Sequence, residues 1–480
     1  MAHFLERFYP FVPAPLQNLG ISLYGFAWKR ERLGGQFPRY VSEFRERDRW
    51  SPEQMGAHLK TELRRLLCHA FDRVPYYQRL WQKHGITRKE LAQIEVDQLS
   101  RIPHTPKEDL RANADSFVAQ NVPREKLNRY FSSGSTGTPI TSICTADDHQ
   151  KFIAARDVRS LGWAGTSIRS PRSMIGGRSV VPQGVSRPPF HRYNWAEEQL
   201  YFSAYHIAPA NIAHYVAALN HHQPGVLTGY AHSHFLLAQM MCAQNLSLDY
   251  EPMAAVLSSE KLTRQMKATI KRALRTRAFE EYGAVENCVL ATECECGHLH
   301  ANLDFGILEI VDDDGQPMPP GVDGRVLCTG LLNHTQPLIR YEIGDVASWS
   351  LESCACGREH LPVIKEIVGR LEDVIVGPDG RQLVRFHWVA LDLPDIMETQ
   401  VVQEALDQFT VKVVTRNQLD REIEQIIQRR FCDRLGPVSV RLERVSSIPR
   451  SERGKFRSVI SKISLPARTP FGCAQLAGSL

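Results

Sequence analysis

The chain has 480 residues, of which 43% are apolar and 23% charged, and its net charge is +5. This is the composition of an ordinary globular enzyme; it excludes disordered and collagen-like classes, and the small charge argues against a nucleic-acid-binding protein. No run of about 18 apolar residues occurs, so no transmembrane segment is expected. The first twenty residues, MAHFLERFYPFVPAPLQNLG, lack the charged-then-apolar order of a signal peptide, and a cytoplasmic setting is expected. They are aromatic and proline-rich, and are expected to pack onto the body of the protein rather than touch a membrane. Eleven cysteines, an odd number, with four in two tight pairs, suit metal chemistry in a reducing compartment better than a disulfide framework.

Residues 1 to about 125 read as helical. Ser51 is a good N-cap before Pro52-Glu53, and apolar spacing near 3.6 follows through Leu66 to Phe71. From about 126 to 370 short apolar runs alternate with helical segments. Ser173-Met174-Ile175, Gly225-Val226-Leu227 and Ala254 to Leu257 read as strands, and His232 to Gln244 and Leu262 to Arg275 as helices. That alternation predicts an α/β layered sheet. Ile307 to Val311, the turn Asp312 to Gly315, and Gly324 to Cys328 read as strand, turn, strand. Around Gly369 to Asp373 the pattern resets. A strand (Thr410 to Thr415), a helix (Leu419 to Phe431) and a strand (Val438 to Leu442) then predict a small α+β domain.

Residues 130 to 139, Tyr-Phe-Ser-Ser-Gly-Ser-Thr-Gly-Thr-Pro, carry the clearest chemical signal. Ser132, Ser133, Ser135, Thr136 and Thr138 supply five hydroxyls, and Gly134 and Gly137 let the backbone come close. Such a loop presents N–H groups and hydroxyls to a polyphosphate. It lacks the Gly-Lys-Ser/Thr ending of a Walker loop.

Four further elements follow in order. They are Glu280-Glu281-Tyr282-Gly283-Ala284-Val285-Glu286, then Leu338 to Asp345 ending in Gly344-Asp345, then Gly369-Arg370-Leu371-Glu372-Asp373, and last Ile448 to Lys455 ending in Gly454-Lys455. Separately, Cys294-Glu295-Cys296-Gly297-His298-Leu299-His300 and Cys354-Ala355-Cys356-Gly357 lie about 55 residues apart. Soft and borderline ligands so grouped suit a closed tetrahedral Zn²⁺ site of structural rather than catalytic character. The preferred ligands are Cys294, His300, Cys354 and Cys356, with Cys296 and His298 as alternatives. His221-His222 and His232-Ser233-His234 read as solvated or capping residues.

The five elements, in this order, resemble those of the adenylate-forming superfamily of acyl-CoA synthetases and adenylation domains. The flanks at 13–80 and 399–404 resemble the phenylacetate-CoA ligase family, in particular its CapK-like branch. The resemblance implies a large N-terminal domain (1–371) with a helical leader and a mixed α/β sheet, and a small mobile C-terminal lid (372–480). It implies that Ser132 to Thr138 cradle the phosphates of ATP, with Ser259, Glu260, Glu281 and Gly283 also at the nucleotide. Tyr282 would stack on adenine, Glu286 would hold Mg²⁺, Asp345 would bind the ribose hydroxyls, and Arg370 the ribose or phosphate. Glu372 would be the hinge and Lys455 would bridge carboxylate and α-phosphate. Many members carry Thr where Val285 stands, so a hydroxyl contact there is not expected. Trp163, Tyr230 and Ala284 are candidate pocket residues, with Trp163 equally able to pack a core.

The zinc-ligand pattern resembles a structural knuckle of some phenylacetate-CoA ligase relatives. The implied reaction activates a carboxylic acid, aryl or arylacetic, as acyl-AMP and passes it to CoA. A carrier protein or an amine is the alternative acceptor, in natural-product or polysaccharide biosynthesis. A degenerate nucleotide-binding scaffold is the contrasting reading. Oligomeric state is left open.

Overall fold

A computed structural model describes the chain from residue 9 to 463, apart from 10–11, 133–138, 179, 183–184, 371–374, 379–381, 384–388, 390–392, 394–395, 416–420 and 450–455. It divides into two compact units: residues 1–308, 327–342 and 350–365, and residues 309–326, 343–349 and 366–480. The expected domain boundary near 371 falls outside the described residues.

The first unit opens with helices α1 (Ala14–Leu33), α2 (Phe37–Arg47), α3 (Pro52–Arg73) and α4 (Pro75–Lys83). The predicted start of α3 is a capping box: Ser51 Oγ accepts from the Gln54 N–H, and the Gln54 side chain accepts from the Ser51 N–H. One face of α3 buries Met55, Leu59, Leu63, Leu66, Leu67 and Ala70, a spacing of three and four residues. Short helices α5 (Arg88–Leu91) and α6 (Lys107–Ala112) follow.

Next come the hairpin strands β1 (Asn128–Phe131) and β2 (Thr141–Cys144), which pair antiparallel. Helix α7 (Ala146–Arg156) runs into a π-helical turn, Asp157–Leu161. This turn places Arg159, fully buried, where it donates to both carboxylate oxygens of Asp304 and, at 2.8 Å, to Asp48. Burial alone would raise the Asp304 carboxyl, but Arg159 more than offsets this and holds it low. Asp48 on Arg159 and Arg47 on Asp304 at 3.5 Å extend the pair into a buried charge network, so removing either member would leave the other only partly compensated.

The sheet of this unit uses β3 (Arg172–Gly176), β4 (His191–Asn194), β5 (Gln199–Ser203), β6 (Val226–Tyr230), β7 (Ala254–Ser258), β8 (Ala278–Gly283), β9 (Leu290–Glu293) and β10 (Leu299–Ala301). Their order is β10-β9-β8-β7-β6-β3-β5-β4. Strands β5, β3, β6, β7 and β8 are parallel; β4 beside β5, and β9 and β10 beyond β8, run antiparallel to their neighbours. Helices α8 (Ile212–His222), α9 (Ala231–Ala243) and α10 (Arg264–Leu274) supply the crossovers. No residue of these strands is exposed, and β7 buries Ala254 to Leu257 in succession without alternation, as a strand covered on both faces does. The expected α/β class and the mixed sheet are both present.

The chain passes between the two units within β11 (Gly306–Val311), β12 (Gly324–Gly330), β13 (Tyr341–Trp349) and β14 (Val363–Arg370). The second unit pairs the short β15 (Ile375–Val376) and β16 (Gln382–Leu383). It also holds a four-stranded sheet of β17 (Ile396–Ala405), β18 (Gln408–Thr415), β19 (Ser439–Arg444) and β20 (Val459–Ser461), in the order β19-β18-β17-β20. Helix α11 (Arg421–Leu435) covers it, packing Ile427, Phe431 and Leu435 on Val401, Phe409, Val411 and Val413. This is the α+β domain expected from the sequence.

Candidate active site

Sheet topology places the site before any side chain does. The chain runs from β3 outward to β5, then returns to the other side of β3 for β6, β7 and β8. Ligands of open α/β sheets bind beyond the carboxyl ends of the strands, where the order reverses. Here that point lies between β3 and β6. Gly229 makes the close approach possible: a Cβ there would sit 2.0 Å from the Ile175 carbonyl oxygen, and its φ is +118°. In register across the neighbouring strand ends stand Tyr230, Ser258 and Glu281.

The candidate residues gather at these ends. Ser259 follows β7 with φ +71°, a left-handed turn that redirects the chain. Glu260 accepts from the His232 N–H at 2.8 Å and so caps the start of α9. At the end of β8, Glu281 lies 3.6 Å from the Arg156 guanidinium. Tyr282 and Gly283 complete the strand, paired with Ala291 and Leu290, and Ala284 follows half-buried. Glu286 is buried and accepts from the Tyr341 hydroxyl at 3.1 Å. Burial, and then the Glu286 charge, hold the Tyr341 phenol well above its ordinary range, so it remains a donor.

The hydroxyl-rich loop is closed by the β1–β2 hairpin. The Ser132 N–H donates to the Ile140 carbonyl at 2.9 Å, and Ser132 Oγ accepts from the Ile140 N–H at 2.8 Å. Ser132 thus locks the loop's base; residues 133–138 lie outside the described residues. Helix α7 links this hairpin to β8. His149 lies 3.0 Å from the Tyr130 hydroxyl, and Arg156, two turns or about 10 Å along the same face, reaches Glu281. Burial, with Arg32 and Arg156 adding to it, pushes His149 down to about 3 and keeps it neutral.

Arg156, His149 and Tyr341 were given no role from the sequence. Tyr341 sits within the segment Leu338 to Asp345, but its hydroxyl bond to a residue 55 positions away is a tertiary fact. Glu280, likewise given no role, is the most perturbed acid here: burial lifts it to about 7.

Asp345 and Arg370 belong to the second unit, on β13 and β14. Glu372 and Lys455 lie outside the described residues. His234, expected to be solvated or capping, is buried instead. Its Nδ1 lies 2.8 Å from the Tyr230 carbonyl, and burial lowers it to about 4.

Cys294, His300, Cys354 and Cys356 come together, with one donor atom of each within 4.8 Å of the others. The hairpin β9–β10 carries the first two, turning at Gly297 with φ +87°. Strand β14 pairs with β10 at Leu299–Ile364 and His300–Val363, bringing in the loop that carries Cys354 and Cys356.

The donor set fits Zn²⁺. Tetrahedral zinc would hold two thiolates about 3.7 Å apart, and thiolate from imidazole about 3.5 Å apart. Cys294 Sγ and Cys354 Sγ are 3.6 Å apart, and Cys356 Sγ is 3.4 Å from His300 Nε2. His300 Nδ1, 2.7 Å from the Leu361 carbonyl, donates there and leaves Nε2 its lone pair. The alternatives, Cys296 and His298, are outside this group, and Cys296 is exposed.

Trp163, a pocket candidate, packs against this cluster instead. Its ring meets His300 edge-on at 6.0 Å, carries the Arg358 guanidinium at 4.2 Å, and donates from Nε1 to Asp48 at 2.8 Å. Its aromatic character gave no hint of this address.

Replacing Tyr341 by Phe removes one orienting donor from a buried carboxylate. Outer hydrogen bonds of this kind tune metal affinity by about 10–100-fold. With Glu286 in the Mg²⁺-holding role that the sequence resemblance implies, the Mg²⁺ concentration giving half-maximal ATP–pyrophosphate exchange is expected to rise by about tenfold; an unchanged Mg²⁺ titration would assign Tyr341 to packing alone.

Residues 383–462 match the family described as the CapK C-terminal domain. The chain is 26% identical to Protein CapK of Staphylococcus aureus over 464 residues, covering 96% of this chain and all of that one. It is 28% identical to a phenylacetate-coenzyme A ligase of Thermus thermophilus over 447 residues, 85% of this chain and 96% of the relative. Its fold is that of a 2-hydroxyisobutyryl-CoA ligase solved in the postadenylation state, with a TM-score of 0.66 at 20% identity over 84% of this chain and 89% of the other.

Proposed function

We propose that this chain, phenylacetate-CoA ligase-like and of the CapK-like branch of the adenylate-forming superfamily, is an AMP-forming acid–thiol ligase. A carboxylic acid attacks the α-phosphate of ATP, pyrophosphate leaves, and the acyl group of the resulting acyl-AMP passes to the thiol of CoA. The acid class we favour is aryl or arylacetic, because phenylacetate-CoA ligases recur among the relatives.

One observation carries the reading: the pocket candidate Tyr230, Ser258 just before Ser259, and the motif residue Glu281 stand side by side at the carboxyl ends of the parallel strands β6, β7 and β8, beside the switch point of the sheet. Glu286 offers a buried hard-oxygen ligand, oriented by Tyr341, and Mg²⁺ held there would neutralise phosphate charge. Tyr282 offers a ring for adenine, and the loop at 132–138 offers hydroxyls and N–H groups for the phosphates. By their motifs we assign Asp345 and Arg370 to the ribose and phosphate, Glu372 to the pivot of a C-terminal lid at 372–480, and Lys455 to the α-phosphate. Catalysis is then positioning plus charge neutralisation. Cys294, His300, Cys354 and Cys356 hold a structural Zn²⁺, with no open position for water.

The test is pyrophosphate release from Mg-ATP against aryl, arylacetic, fatty and amino acids, each with and without CoA. Release with one acid class, together with the matching acyl-CoA mass, is the expected result. Release that ignores CoA would assign the acceptor to a carrier protein or an amine, and silence with every acid would favour a nucleotide-binding scaffold.

A further inference from the structure

Helix α1 is folded inside out. Its body-facing side is polar: Gln17, Ser22 and Gly25 are buried. Asn18 Oδ1 accepts from the Tyr193 N–H at 3.1 Å, Ser22 Oγ accepts from the Trp195 N–H at 3.0 Å, and Gln17 accepts from Arg192. Gly25 packs so closely on Asn194 that a Cβ would lie 2.4 Å from its side chain.

The outward side is apolar. Leu16, Leu19, Leu23 and Phe26 are 57%, 46%, 63% and 62% exposed. At about 100° per residue these four positions fall in one stripe about 80° wide. Tyr24 flanks it, and Trp195, also exposed, is tied to the helix through Ser22. Scattered exposed leucines are ordinary, but a row along one helix marks an interaction surface.

Two features choose the occupant. The first is charge. Arg30, exposed one turn beyond Phe26, continues the stripe; Lys29 lies to one side of it with its ammonium on the Ala196 carbonyl, while Arg32 turns inward to Glu197. The second is size. A 20-residue helix offers a strip about 30 Å by 10 Å, or about 300 Å², well short of the roughly 800 Å² per partner of a standard protein interface. A narrow apolar stripe with aromatic edges and a basic end suits the boundary between lipid headgroups and acyl chains.

We propose that α1 docks this protein on an anionic membrane surface, with Leu16, Leu19, Leu23 and Phe26 dipping below the headgroups and Arg30 among them. No helix among the described residues is long and apolar enough to cross a membrane, so the contact is peripheral.

The test is co-sedimentation of the full chain with vesicles of phosphatidylcholine alone and of phosphatidylcholine containing phosphatidylglycerol. Binding is expected to the anionic vesicles, weakening as salt rises. A variant carrying Leu19→Gln, Leu23→Gln and Phe26→Gln should lose more than about tenfold in partitioning, and Arg30→Glu should lose the preference for anionic lipid. Circular dichroism and thermal melting confirm that each variant is folded; all four positions are exposed, so neither should shift. Absence of binding to anionic vesicles at low salt overturns the proposal, as does wild-type binding by the triple variant. A dimer in analytical ultracentrifugation that the triple variant abolishes would assign the stripe to a second copy of the chain.

Discussion

Lys455→Ala is expected to lower acid-dependent ATP–pyrophosphate exchange by about two to three orders of magnitude. That is the usual effect of removing one preorganised donor from a site where charge develops. A lysine ammonium is a compact point charge on a flexible stem, suited to bridge the incoming carboxylate and the α-phosphate as the pentavalent phosphorus forms. The loss should fall on the first half-reaction. Transfer from preformed acyl-AMP to the acceptor, which makes no new bond to phosphorus, should retain most of its rate. Exchange at the wild-type rate in a folded Lys455→Ala protein would remove Lys455 from the reaction.

Cys354→Ser is expected to remove one equivalent of bound zinc and to destabilise the first unit. The four donors come from one hairpin and from the loop before β14, so zinc would fasten residues 60 positions apart. Metal binding energy at such a site is folding energy, about 10–16 kcal/mol apparent in small zinc peptides. Losing one ligand should cost a fraction of that, on the order of 3 kcal/mol, or roughly 4 °C in apparent melting temperature for a unit of this size. Chelation of the wild-type protein should give the same shift. Elemental analysis and thermal melting read both. Protein purified with less than about 0.1 equivalent of any transition metal, and indifferent to chelator and zinc, would leave the four side chains as packed thiols and imidazole.

Local signals were legible where the physics is local. The capping box at Ser51 and Gln54 was announced by residue type and spacing. The strands at 172–176, 226–230 and 254–258 and the helices at 231–243 and 264–274 fall where apolar runs and 3.6-residue spacing put them. The grouping of Cys294, His300, Cys354 and Cys356 was readable because these residues cluster in two short stretches.

Long-range facts were not readable. Trp163 finds its place through Asp48 and Arg358, each more than a hundred residues away. Tyr341 acquires its meaning from Glu286. Helix α1 is the sharpest instance. Its apolar stripe would ordinarily be assigned to the core, because periodicity reveals a face but not which side meets solvent. The side is decided by hydrogen bonds to Tyr193 and Trp195, more than 170 residues on. The expectation that the N-terminal region packs on the body is met, among the described residues, at the polar side of α1.

Activation of an acid through its own oxygen on the α-phosphate of ATP leaves an isotopic trace. It is tested most directly by supplying the acid that supports pyrophosphate release with ¹⁸O in its carboxylate and weighing the products. Attack at the α-phosphorus and later transfer of the acyl group leave one carboxylate oxygen behind, so the AMP should carry one ¹⁸O and the pyrophosphate none. Unlabelled AMP, or label in inorganic phosphate alongside ADP, would contradict adenylation.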